Sequence, residues 1–100
     1  ILNDQKDLDI LIEGHTDNVP MNSDCISDNW DLSTRRSTAI VRLLQKKYNV
    51  DPSRMTAGGR SEYLPKVSND TAEGRKTNRR TEIIILPKLD QFFKLMTPTK

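Results

Sequence analysis

At 100 residues, with 34% hydrophobic and 30% charged side chains and a net charge of +2, the chain has the size of one small domain with a heavily solvated surface. It contains no run approaching the roughly 18 consecutive apolar residues of a membrane span and no signal-peptide pattern. Because it begins in mid-fold, a leader or anchor is expected to have been removed or to lie in a longer parent. The single cysteine, Cys25, excludes an internal disulfide and falls short of a structural zinc site.

In chain order, residues 1–7 read as the tail of a helix or a linker. Leu8 to Gly14 is a short, β-branched apolar run that stops at a glycine, which favours a buried strand. Gly14 lets the backbone leave the sheet or another group approach closely. It gathers His15, Thr16, Asp17 and Asn18 at the strand end, where ligands bind in α/β sheets. The plainer alternative is that Asp17-Asn18 is an ordinary turn. From Asn18 to Asp31 runs a fourteen-residue connection with three asparagines, three aspartates and Pro20, long enough to suggest function or mobility. Trp30 is expected to pin its far end to the core.

Ser33 to Tyr48 reads as a helix: Ser33 is the expected N-cap, Ile40, Leu43, Leu44 and Tyr48 recur at helical spacing, and Asn49 with Pro52 supplies the stop. Arg36 then projects from the inward face of the first turn, where a cation opposes the macrodipole by roughly 0.3 to 1 kcal/mol. Either it forms an anion receptor with the free N–H groups, or it pairs with an acid such as Asp17. Arg54 to Gly58 reads as a second strand closed by Gly58-Gly59, and Pro65 to Asp70 as a loop. Thr71 to Lys76 predicts a turn or two of helix capped by Asn69 or Asp70. Thr81 to Leu86, with Ile83-Ile84-Ile85, predicts a central strand ended by Pro87. Leu89, Phe92, Phe93 and Met96 share one face over 88–96, which predicts a terminal helix covering the sheet.

Charge is lopsided, with residues 1–31 carrying −7 (eight acids, one lysine) and residues 32–100 carrying +9 (fifteen bases, six acids). That polarity suits a site with separate anionic and cationic lobes better than a uniform nucleic-acid surface. Arg75, Lys76, Arg79 and Arg80 lack the interleaved aromatics of single-strand binders, so no nucleic-acid partner is expected and a solvated or site-lining role is. One histidine without a second ligand pair gives no metal site and no cofactor. No nucleophile elbow accompanies it, so no enzyme is expected and His15 defaults to structural hydrogen bonding.

Three motifs carry a resemblance: Glu13-Gly14-His15-Thr16-Asp17-Asn18; Asn29-x-x-Leu32-Ser33-x-x-Arg36; and Asn69-x-Thr71-x-x-Gly74-Arg75-x-x-Asn78-Arg79-Arg80-x-Glu82-Ile83. Together they resemble the OmpA-like peptidoglycan-binding domain family of outer-membrane anchors, Pal-type lipoproteins and MotB-type stators. The resemblance implies an α/β (α+β) fold, a mixed sheet with helices packed on one face, as a single domain over 1–100 with its motif-bearing core at about 8–86. It implies non-covalent binding of the peptidoglycan stem peptide at diaminopimelate, with Asp17 as key acid, Arg36 as key arginine, and Thr16, Asn18, Asn29, Leu32, Ser33 and Arg79 around them. It further implies a membrane-anchored parent and a location on the periplasmic face of the envelope at the outer membrane, or alternatively a stator-type role in dimerisation and motor anchoring. Val19-Pro20 and the longer loop depart from the family's Gly-containing turn, and Ser37 stands where alanine is common. The family's first strand and most of its first helix would precede Ile1, so an open sheet edge and a possible homodimer are expected.

Overall fold

The computed structural model describes residues 8–87, and the expectations for 1–7 and for the helix at 88–96 lie outside them. Three strands and two helices follow one another as β1 (Leu8–His15), α1 (Asn29–Tyr48), β2 (Met55–Gly59), α2 (Ala72–Asn78) and β3 (Arg80–Pro87). A 3-10 turn, Pro52–Arg54, precedes β2. The sheet is mixed, ordered β2-β1-β3, with β1 parallel to β2 and antiparallel to β3. This is the α/β architecture expected from the motifs.

β1 is central, and its alternation explains both faces. Ile10 and Ile12 are buried with Val50, and Ile40, Val41, Leu44 and Met55 pack against them, so this face meets α1. Leu43 and Tyr48, expected on that stripe, are exposed. α1 can lie close to the sheet because small residues meet there. Ser33 and Ser37 are fully buried, one helical turn apart, and a Cβ on Gly14 would stand 2.1 Å from the Ser33 carbonyl oxygen. The close approach expected at Gly14 is therefore real. On the opposite face the register sets Glu13 against Glu82 and His15 against Arg80, and that face is polar at this end.

Several sequence expectations are corrected. α1 begins at Asn29, and its N-cap is Asp28, whose carboxylate accepts the Asp31 N–H at 2.8 Å; Ser33 is a buried residue of the second turn. Among the described residues β3 pairs with β1 alone, so the Ile83-Ile84-Ile85 run is an edge strand with Ile83 and Ile85 nearly half exposed. Arg54 precedes β2 in the 3-10 turn, buried and donating from Nε to the Leu8 carbonyl at 2.9 Å. The α1 stop is as expected, with Asn49 as C-cap in the left-handed region at φ 55°. α2 runs two residues beyond its expected end at Lys76, and its cap is Thr71, which accepts the Gly74 N–H at 2.9 Å.

Candidate functional site

The end of β1 builds the site. Thr16 N–H donates to the Ser61 carbonyl at 2.9 Å and its hydroxyl donates to the Asp17 carbonyl at 2.8 Å, which fixes the backbone as it leaves the sheet. Asp17, only 7% exposed, accepts the Val19 N–H on Oδ1 at 3.0 Å and the Arg79 guanidinium on Oδ2 at 2.5 Å. Arg79 is the C-cap of α2, so this ion pair ties the end of β1 to the end of α2. From the first turn of α1, Asn29 donates to the Val19 carbonyl at 3.0 Å, which folds the loop back over the strand end.

Thr16, Asp17, Asn29, Leu32, Arg36 and Arg79, six of the eight residues named from the sequence, line one cleft of about 240 Å³. Asn29, Leu32 and Arg36 share one face of α1 at helical spacing. Asn18 falls instead in a neighbouring cleft. Ser33 is buried away from both, its hydroxyl donating to the Trp30 carbonyl at 3.0 Å and accepting the Ser61 N–H at 3.1 Å. Sequence reasoning missed Val19, Pro20, Met21 and Arg75 as lining residues. Arg75 was legible as part of the basic cluster, and its Nη1 donates to the Asn69 carbonyl at 2.9 Å.

Arg36 lies seven residues past Asn29, well beyond the first turn, so the helix dipole neither opposes it nor adds free N–H groups to it. Nor does it pair with Asp17, whose partner is Arg79. The Arg36 side chain makes no hydrogen bond or ion pair with any described residue. The cleft thus combines one carboxylate with three guanidiniums: Arg79 pairs with Asp17, Arg75 bonds a backbone carbonyl, and Arg36 has no side-chain partner among the described residues. A guanidinium with no partner keeps its planar fork of N–H donors available to carboxylate or phosphate oxygens.

Behind the cleft, His15 is buried with Nε2 at 3.2 Å from Glu13 Oε1 and 3.3 Å from Glu82 Oε2. Arg60 closes on Glu13 and Arg80 on Glu82 at 2.9 and 2.8 Å. The Arg80 hydrogen bond holds the Glu82 carboxyl below the usual glutamate range. His15 thus lies within reach of carboxylates on both β1 and β3, while its buried Nδ1 has no hydrogen-bond partner among the described residues. Trp30 does not enter the core: it is 49% exposed and stacks on Tyr63.

The sequence model of the OmpA family matches residues 1–79. Motility protein B of Bacillus subtilis is 44% identical over 79 residues, which is 79% of this chain and 30% of that protein, so the chain spans under a third of this relative. Among solved structures, a MotB-like protein from Desulfovibrio vulgaris has a TM-score of 0.77 at 31% identity, covering 87% of this chain and 55% of that one. The cell wall anchor of the type VI secretion system (T6SS) from Pseudomonas aeruginosa has a TM-score of 0.74 at 35% identity, covering 87% and 62%. With the family match running through all but the end of its third motif, the chain belongs to the OmpA family, as its sequence motifs imply.

Proposed function

We propose that this domain is a non-catalytic anchor that grips the bacterial cell wall at the diaminopimelate of the peptidoglycan stem peptide. The observation that carries the reading is Arg36, a guanidinium without a counter-charge among the described residues, lining the same cleft as Asp17. Diaminopimelate in a stem peptide offers an ammonium and a carboxylate on one carbon. Asp17 keeps lone pairs free beside Val19 N–H and Arg79, and these accept the ammonium, while Arg36 takes the carboxylate with Arg75 and Arg79 adding to the field. Hydrogen bonds to charged groups contribute about 1.5 to 3 kcal/mol each, enough for reversible attachment. A polymer with many repeated stems supplies avidity.

On this reading nothing is cleaved, and the domain works on the periplasmic side of the envelope, held through its parent at the outer membrane. The likeness to the cell wall anchor of the type VI secretion system supports the anchoring role. A second reading, favoured by the 44% identity to motility protein B, makes the domain part of a flagellar-stator subunit in which pairing of two copies accompanies wall attachment. Incubation with purified sacculi tests the core of both. The protein should sediment with the sacculi and release no soluble muropeptide; failure to sediment, or released fragments, contradicts the anchor.

A further inference from the structure

Beside the cleft of Asp17 and Arg36 lies a second one of about 310 Å³, and the two share Pro20, Met21 and Asn29 as a common wall. Its floor is aromatic. Trp30 and Tyr63 stack with ring centroids 5.5 Å apart and planes at 34°, yet remain 49% and 63% exposed. Two large rings left in water do little for the core, and an exposed aromatic platform marks a contact surface. The platform is preformed, because its halves come from elements locked together. Trp30 belongs to the first turn of α1 and Tyr63 follows β2, and between them Ser61 N–H donates to Ser33 Oγ at 3.1 Å and Asn29 Nδ2 to Glu62 Oε2 at 3.4 Å.

The polar lining differs in sign from that of the neighbouring cleft. Asp28, Glu62 and Asn18 line it and no Lys or Arg does, whereas Arg36, Arg75 and Arg79 line the other. Carboxylates accept hydroxyl and amide protons and repel anions. A π face attracts the weakly positive C–H groups on one side of a pyranose ring. Building on the stem-peptide reading, we propose that this second cleft is a saccharide subsite that stacks a neutral N-acetylated sugar of the wall glycan on Trp30 and Tyr63. One ligand then spans both clefts, its uncharged sugar over the acidic, aromatic one and its zwitterionic peptide in the arginine-rich one. The shared wall of Pro20, Met21 and Asn29 lies under the junction.

The test titrates the full chain with two ligands by calorimetry, the diaminopimelate-containing stem tripeptide alone and the same tripeptide on its disaccharide. The disaccharide form should bind about five- to tenfold more tightly, the increment of a well-placed stacking contact. Trp30→Ala and Tyr63→Ala should each erase that increment and leave tripeptide binding unchanged, and Trp30→Phe should keep part of it. Melting curves confirm that the variants fold, with Tyr63, in an exposed turn, as the safer position. Equal affinity of the unaltered chain for the two ligands overturns the subsite. So does equal loss on both ligands in folded variants, which would mean the rings support the peptide site instead. Titration with peptide-free N-acetylglucosamine oligomers separates the two proposals. Loss of tripeptide binding by the unaltered chain with oligomer binding retained refutes the stem-peptide reading alone, and absence of oligomer binding with tripeptide binding retained and no disaccharide increment refutes the subsite alone.

Discussion

Gly14→Ala is a sharp test of how the sheet and α1 fit together. The added Cβ would stand 2.1 Å from the Ser33 carbonyl oxygen and 2.9 Å from its carbon, against a comfortable separation of roughly 3.5 Å. Both sides of the contact are backbone, so relief requires α1 to retreat by on the order of 1 Å. Overpacking of this kind costs about 1 to 3 kcal/mol. The retreat also strains the hydrogen bond from Ser61 N–H to Ser33 Oγ, and leaving that buried donor unpaired adds about 1 to 3 kcal/mol. The sum, about 2 to 6 kcal/mol, is a large share of the roughly 5 to 15 kcal/mol that stabilises a domain. At about 4 to 8 °C per kcal/mol it lowers Tm by at least about 8 °C. Gly58→Ala is the matched control, since its Cβ would meet only Leu11 Cδ1 at 3.7 Å, an ordinary contact, and Tm should move by less than about 4 °C. Melting followed by circular dichroism decides the matter; two variants melting together would refute the close-approach argument.

Other consequences are independent of the ligand. Asn78 is fully buried and accepts from Lys66 N–H and Val67 N–H at 2.8 and 3.1 Å, so Asn78→Ala orphans two donors and should cost about 2 to 4 kcal/mol in denaturant titrations, with faster amide exchange over 66–69. Glu82 has a depressed folded pKa through Arg80, so its contribution is present at neutral pH and is lost as the pH falls below the ordinary glutamate value toward the folded one. Glu82→Gln should therefore flatten the acid limb of the stability curve, and an unchanged limb would exclude the ion pair as its source. Among the described residues β3 has an unpaired outer edge with Ile83 and Ile85 exposed, so sedimentation should show concentration-dependent self-association that Ile83→Lys suppresses. A strict monomer at high concentration would contradict that.

What could be read from the sequence follows physical lines. β1 was legible because Leu8 to Gly14 is short, apolar and punctuated by glycine, whereas the mixed fold was implied by the motifs' resemblance to the OmpA-like family. The start of α1 was not, because Asp24, Asp28 and Asp31 are all plausible caps in one polar stretch. The residues after the true cap, Asn29 to Leu32, carry no apolar periodicity, so Ser33, next to the periodic part, looked like the cap. That displacement put Arg36 in the first turn and lent it a dipole argument that the helix does not support. β3 misled for a related reason: an unbroken Ile83-Ile84-Ile85 run reads as buried on both faces, although its neighbours decide that. The motif positions Thr16, Asp17, Asn29, Leu32, Arg36 and Arg79 come together around one cleft, while the Asp17–Arg79 ion pair joins residues too far apart in sequence for any local pattern to reveal it.

The central claim is that Asp17 and Arg36 act on one zwitterionic ligand centre, and a double-mutant cycle on stem-tripeptide binding tests it most directly. Arg79, the partner that Asp17→Ala would strand, has a side chain 42% exposed, so water can take over its solvation and the fold should survive. Calorimetry should show Asp17→Ala and Arg36→Ala each weakening binding by about 2 to 5 kcal/mol, since each leaves one ligand charge unpaired. The double variant should lose less than the sum. Variants that bind the tripeptide as the unaltered chain does, or that lose binding only in step with a lowered Tm, would contradict the receptor.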